Sequence, residues 1–133
     1  MKRALLDSGI ISDLVNRRRE VPNRIRELVC RGIRVGTCIP VLAEIVAGIE
    51  CSSSRERNMK ALLAVMPALT FWPFDEPAAF QYGQIFANLR RQGRPMQVVD
   101  MMLAAVALRL GSSLVITTDS DLQEIDGLSV EKW

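Results

Sequence analysis

Apolar residues along the chain fall alternately into short runs and into helical stripes, with polar turns between them. Ala4-Leu5-Leu6 is a short apolar run stopped by Asp7-Ser8-Gly9, after which Ile10, Ile11, Leu14 and Val15 recur at helical spacing. That succession predicts strand, turn and helix. Pro22 suits the first turn of a second helix, in which Ile25, Leu28 and Val29 supply an i, i+3, i+4 stripe and Gly32 a stop. Val35 to Ile39 reads as a second strand, and Pro40 opens a helix through Val41, Leu42, Ile45, Val46 and Ile49. Ser52 to Ser54 is the cap of a further helix over 55–66. Leu69 to Trp72 is β-prone and is closed by Pro73.

The second half continues the alternation. Glu76 to Gln92 predicts a long amphipathic helix with Ala79, Tyr82, Ile85, Phe86 and Leu89 inward, Arg90 and Arg91 outward, and Gly93 as its stop. Val98 to Leu110 is apolar nearly all round, which predicts a central, buried helix ended by Gly111. Leu114 to Ile116 follows as a buried strand, then the polar turn Thr117-Thr118-Asp119-Ser120-Asp121, then Leu128-Ser129-Val130 as an edge strand. Strands alternating with helices predict an α/β fold of three layers, a short central parallel sheet flanked by helices on both faces. The whole chain, 1–133, is expected to be one domain. In such sheets ligands bind beyond the carboxyl ends of the strands, which is where Asp7 and Asp119 lie.

Composition narrows the class. With 133 residues, 49% apolar and 24% charged, the chain is large enough to bury a core without disulfides or structural metal. No apolar run approaches the length of a membrane span. The opening Met1-Lys2-Arg3-Ala4-Leu5-Leu6 is broken at Asp7 before a signal-peptide core can form, so a cytoplasmic protein is expected. Cys30, Cys38 and Cys51 are widely spaced with no CxxC pair, and read as small buried residues rather than zinc ligands or a disulfide framework. Charge is uneven despite a net of only +2. Residues 1–34 hold nine Lys or Arg against four acids, and residues 95–133 hold two against six. Arg17, Arg18, Arg19, Arg90, Arg91 and Arg94 are the densest cations on expected surfaces, a basic rim suited to a polyanion such as RNA; a solvated helix face explains Arg17 to Arg19 equally.

The chain has no histidine, so imidazole cannot serve as base, acid or metal ligand, and any hydrolytic chemistry must run on carboxylates. Asp7, Glu44, Asp100 and Asp119 sit where apolar segments begin or end. Gathered together they would repel, each pair by roughly 4 kcal/mol at about 4 Å and an effective dielectric near 20, and a hard divalent cation such as Mg²⁺ would turn that repulsion into attraction. Each acid also has an ordinary reading. Asp7 suits a helix cap before Ile10, Asp100 a helix N-terminus, Glu44 a surface position, and Asp119 a turn or cap. Asp121 is either a further ligand or the cap of residues 122–126.

Together these segments resemble a family. Leu5-Leu6-Asp7-Ser8-Gly9-Ile10-Ile11-Ser12-Asp13-Leu14 is similar to the opening of PIN-domain ribonucleases, in particular VapC-type toxins of toxin–antitoxin pairs. Ala43-Glu44-Ile45 through Gly48-Ile49-Glu50 resembles their second block, Asp100 to Ala104-Ala105 the third, and Thr117-Thr118-Asp119-Ser120-Asp121-Leu122 the fourth. The resemblance spans essentially the whole chain and implies a PIN-like fold. It implies that Asp7, Glu44, Asp100 and Asp119 are the catalytic acids of a Mg²⁺- or Mn²⁺-dependent endoribonuclease, with Asp7, Asp100 and Asp119 on the metal. Ser8, Thr117, Thr118 and Asp121 would support them from behind. A small VapB-like antitoxin and a homodimer are the implied partners. Apolar positions around Ile45, Ile49, Leu62 and Leu63 are candidates for the dimer interface, and core packing accounts for them as well. One departure stands out: the family usually carries Thr-Asn after its first aspartate, where this chain has Ser8-Gly9, losing an amide that could hydrogen-bond within the acidic cluster. Two other readings stay open on the sequence: a PIN-like module that binds RNA or a partner without cleaving, and a metal-dependent nuclease with no toxin role.

Overall fold

All residues 1–133 are described by the structure, a computed structural model. Five strands, β1 (Arg3–Leu6), β2 (Arg34–Cys38), β3 (Thr70–Trp72), β4 (Ser113–Thr117) and β5 (Ser129–Lys132), form one sheet in the order β3-β2-β1-β4-β5, every pair parallel. Six helices connect the first four: α1 (Ser8–Val15), α2 (Val21–Cys30), α3 (Ile39–Glu50), α4 (Arg55–Val65), α5 (Glu76–Arg91) and α6 (Val98–Leu110), and a segment with a short 3₁₀ helix joins β4 to β5. Parallel neighbours need such crossovers. The first three strands step outward from β1 to one edge, and the chain then returns to build β4 and β5 on the other side of β1. The sheet therefore reverses its direction of growth between β1 and β4, and there a crevice opens at the strand ends.

Successive strand residues point to opposite faces, so a strand buried at every position is covered on both sides. Ala4, Leu5 and Leu6 of β1 are wholly buried, as are Val115 and Ile116 of β4. This is the three-layer α/β architecture expected, and it explains why these strands read as continuous apolar runs. As expected, α6 is the central helix. Met101 and Leu103 through Ala107 are all buried, and the helix packs on α5, α3, β2 and β4.

Several expectations are corrected by the packing. The second strand starts at Arg34 and ends at Cys38, so Ile39 is the first residue of α3 and is exposed. On α5 the buried stripe is Ala78, Ile85 and Leu89, with Tyr82 half-buried; Ala79 and Phe86 face solvent. The stripe is narrower than the apolar count suggests, because α6 is the neighbour that dominates its packing. Val29 is likewise exposed on α2. Cys38 is buried, but Cys30 ends α2 and Cys51 caps α3, and both are exposed because those helix ends emerge into solvent. Ile49 and Leu62 are buried within the chain, which removes them as interface residues, while Leu63 is exposed. Ser54 is the residue that precedes α4, but its side chain makes no capping bond.

Two backbone features shape the molecule. Gly36 lies in β2 opposite Thr70 of β3, and a Cβ there would stand 1.8 Å from the Thr70 carbonyl oxygen. Between α1 and α2, Arg17, Arg19 and Glu20 all adopt left-handed backbone (φ 54°, 53° and 61°) without being glycine, each at roughly 1–2 kcal/mol. Arg19 holds this turn down. Its guanidinium bonds the Asp13 carboxylate at 2.9 Å and a main-chain oxygen of Trp133 at 3.1 Å, and Arg24 lies over the Trp133 ring at 4.1 Å.

Gly36→Ala is expected to lower stability by about 3 kcal/mol or more, since the clashing atom is backbone that can move only by parting two strands. Denaturant unfolding checks it; a loss below about 1 kcal/mol would show that β2 and β3 separate freely.

Candidate active site

Asp7 is the first residue after β1, and its carboxylate accepts three hydrogen bonds from the protein, which leaves lone-pair capacity on it. Oδ1 accepts the Ile10 N–H at 2.9 Å and so caps α1, as the sequence allows. Oδ2 accepts the Thr117 hydroxyl and, at 3.2 Å, the Thr118 N–H. The Asp7 N–H in turn donates to the Ile116 carbonyl at 3.0 Å. Three donors explain how a carboxylate that is only 5% exposed is tolerated beside an apolar strand. The ends of β1 and β4 are tied together at the point where the sheet reverses.

Asp119 lies two residues beyond β4. Its side chain accepts the Asp121 N–H at 3.0 Å, capping a short 3₁₀ helix over Ser120–Glu124, and its own N–H is held by the Thr117 hydroxyl oxygen at 2.9 Å. The cap is thus Asp119, not Asp121, which lies inside the first turn and is exposed. Asp100 enters from the first turn of α6 and is half-buried. Asp7, Asp100, Asp119 and Asp121 line one cavity of about 500 Å³, together with Ser8, Gly9 and Thr118. Glu44 is exposed on α3 and lines the adjoining cavity, of about 470 Å³; Ser8 borders both.

The carboxylates feel one another. Burial, then the charges of Asp7, Glu44, Asp119 and Asp121, push the Asp100 carboxyl up from 3.8 to about 6. Glu44 therefore contributes to the field of the cavity although it stands outside its wall. No three acidic or cysteine side chains are drawn tightly enough to grip a cation as they stand. The donor set nevertheless fits a hard divalent ion: it is all oxygen, carries no imidazole or thiolate competitor, and its members repel. Cys38 is no alternative nucleophile, because burial pushes its thiol up to about 11.

The expected basic rim divides on inspection. Arg19 is committed to Asp13 and Trp133, Arg94 is paired with Glu124 at 2.5 Å, and Arg91 bonds Asn88 on its own helix. Arg17, Arg18 and Arg90 are exposed, and Arg18 lines the cavity that Glu44 borders. Sequence reasoning missed Thr37, buried in β2, whose hydroxyl donates to the Leu6 carbonyl at 2.6 Å immediately before Asp7. It also missed Arg57 and Asn58 on the Glu44 cavity. A buried threonine at the end of a strand is the sole signal for the first. Nothing local marks the others.

Gly9 has a specific neighbour. A Cβ at this position would meet the Thr118 Oγ1 at 2.7 Å and its Cγ2 at 3.2 Å. Thr118 thus fills the space that a side chain at position 9 would need, while its N–H bonds Asp7. The Ser8-Gly9 departure is matched by a threonine from the far end of the chain.

With this geometry established, comparison with known proteins is unambiguous. The PIN domain family pattern matches residues 4–128, so the chain belongs to the PIN domain family, among its VapC-type members. The tRNA(fMet)-specific endonuclease VapC of Shigella flexneri is 34% identical over 92 residues, 69% of this chain and 70% of that protein. In the DNA-bound VapBC structure of Salmonella typhimurium, a chain 28% identical superposes with a TM-score of 0.88 over 100% of this chain and 99% of its own length. VapBC2 of Rickettsia felis, solved on a fragment of promoter DNA, shares the fold with a TM-score of 0.90 at 22% identity, covering 98% of each chain.

Two outcomes follow from the site. Gly9→Asn alone is expected to destabilise by about 1–3 kcal/mol, because Thr118 must give way. In a Thr118→Ala background the same change should cost less, a coupling of about 0.5–3 kcal/mol in a thermal-melting cycle; additive effects would mean that the two positions do not contact. For Asp100, the folded pKa near 6 exceeds the unfolded 3.8. Its contribution to stability is therefore present below about pH 4 and lost as pH rises through 6. In metal-free buffer, Asp100→Asn should match the parent near pH 4 and melt increasingly above it toward pH 7; parallel curves would remove Asp100 from the repulsive cluster.

Proposed function

We propose that this protein is a VapC-type toxin, an endoribonuclease that hydrolyses RNA phosphodiester bonds with Mg²⁺ or Mn²⁺ and is neutralised by a small VapB-like antitoxin. The observation that carries the reading is the gathering of Asp7, Asp100 and Asp119 on one cavity where the sheet reverses, in a chain of this family, with Asp100 held up by its neighbours. Its relatives support it by name as nucleases, and its structural neighbours as members of toxin–antitoxin complexes.

Asp7, Asp100 and Asp119 would hold the metal, with Glu44 adding negative charge from α3. A bound divalent cation would supply an activated water and neutralise charge on the leaving oxygen. The residues of the chain do the rest. Thr117 and the Thr118 N–H fix Asp7 Oδ2, leaving it little freedom to swing away. The Thr117 hydroxyl also holds the backbone that presents Asp119, so one side chain sets the relative position of two carboxylates. The cavity is open to solvent and bordered by Pro95, Met96 and Gln97, so a polymer chain can lie across it.

No helix of the chain is long and apolar enough to cross a membrane.

Purified protein should cleave single-stranded RNA in Mg²⁺ or Mn²⁺ and not in EDTA, and Asp100→Asn should lose at least about 100-fold of that rate. The parent should also gain melting temperature with Mn²⁺, by the equivalent of about 2.7 kcal/mol at 100 times the Kd, and Asp100→Asn should gain less. Cleavage unaffected by EDTA, or an equal Mn²⁺ response in both proteins, would place the chemistry elsewhere.

A further inference from the structure

The second cavity carries two arginines that belong to no ion pair. It lies among α1, α3 and α4 and is lined by Ser12, Asn16, Arg18, Glu44, Arg57 and Asn58, with Ser8 linking it to the carboxylate cavity. Glu44 is its single acid. The chain's ion pairs are Arg19–Asp13, Arg55–Glu50, Arg94–Glu124 and Arg109–Asp75. Arg18 and Arg57 take part in none; Arg57 bonds only the Ser54 hydroxyl, at 3.3 Å. Two cations facing one small space repel, and an anion between them would reverse that repulsion.

The backbone carrying Arg18 is itself unusual. Arg17 and Glu20 are left-handed, and so is Arg19, whose guanidinium is clamped to Asp13 and to the main-chain oxygen of Trp133. Such conformations persist only where surrounding contacts impose them, and they gather where a side chain must be aimed. Of the turn's three arginines, Arg19 is paired while Arg17 and Arg18 are not, and only Arg18 lines the cavity. Cation, amide and hydroxyl donors beside a carboxylate centre match the phosphate oxygens and base edges of a single strand of nucleic acid.

We propose that Arg18 and Arg57 form a phosphate subsite that grips the RNA backbone next to the bond being cleaved, with Asn16 and Asn58 facing the adjoining base. The subsite rests on the ribonuclease reading above. It divides the arginines of the α1–α2 turn by role: Arg18 contacts the backbone phosphate, and Arg19 is a positioning residue that holds the turn.

Binding of a short unstructured single-stranded RNA, in EDTA so that it is not cleaved, tests this by fluorescence anisotropy across a salt series. Arg18→Ala and Arg57→Ala should each weaken binding about tenfold and flatten the slope of log K against log salt by about 0.7, and the double variant by about 1.4. Arg18→Lys should keep most of the slope. Arg31→Ala, which removes the same charge from a residue outside the cavity, should change it much less. In Mg²⁺ the two alanine variants should raise KM with kcat nearly unchanged. All these residues are exposed, and melting temperatures should stay near that of the parent. Slopes unchanged in both variants, or changed no more than by Arg31→Ala, overturn the subsite while leaving the ribonuclease reading intact if the parent still cleaves. The subsite also fails if the variants lose only capture of a VapB-like antitoxin, since the cavity is then a protein-binding groove. A parent that neither binds nor cleaves RNA overturns both.

Discussion

The carboxylate of Asp7 is the joint on which the site depends. One oxygen starts α1, and the other ties the end of β1 to the end of β4 through Thr117 and Thr118. A buried carboxylate is stable only when its lone pairs are met by donors, and here each donor is a part of the fold that must be correctly placed. The crevice between β1 and β4 and the position of the Asp7 carboxylate are thus set by the same contacts. Thr37, one strand over, holds the Leu6 carbonyl at the root of the joint.

Around that joint the protein holds charges that oppose one another. Asp100 sits half-buried among Asp7, Glu44, Asp119 and Asp121 and resists ionising. An apolar replacement of similar shape would suit the fold better. Retaining the repulsion makes sense for a site that a cation completes, because the energy withheld from folding becomes available to binding. The same contrast recurs on the basic side, where Arg19 and Arg94 are neutralised by carboxylates while Arg18 and Arg57 are left free beside the acidic cavity.

Much of this was legible in the chain because it is encoded locally. Apolar runs bounded by glycine and proline gave nearly every strand and helix within a residue or two, and their alternation gave the parallel sheet. Asp7 and Asp119 could be placed together because both follow strands of a parallel sheet, while Glu44 and Asp100 joined them only through the resemblance to PIN-domain ribonucleases. What stayed hidden depends on which distant segment lies opposite. Gly9 and Thr118 fit each other across more than a hundred residues, as do Asp7 and Thr117. The inward face of α5 was misplaced at Ala79 and Phe86, since the apolar stripe alone does not say how wide a strip α6 covers. Cys30 and Cys51 read as core residues but lie at helix ends, where polarity says little about burial. Arg19 looked like its two neighbours until Asp13 and Trp133 were seen to hold it.

The central claim is that Asp7, Asp100 and Asp119 close around a shared cation. Anomalous diffraction from crystals grown with Mn²⁺ tests it most directly. An anomalous peak is expected in the cavity between β1 and β4, with oxygens of all three aspartates drawn to roughly 2.1 Å of it or joined through its waters, and no peak there in Asp100→Asn crystals at the same concentration. A peak bound elsewhere, or one in that cavity that survives the loss of Asp100, would contradict it.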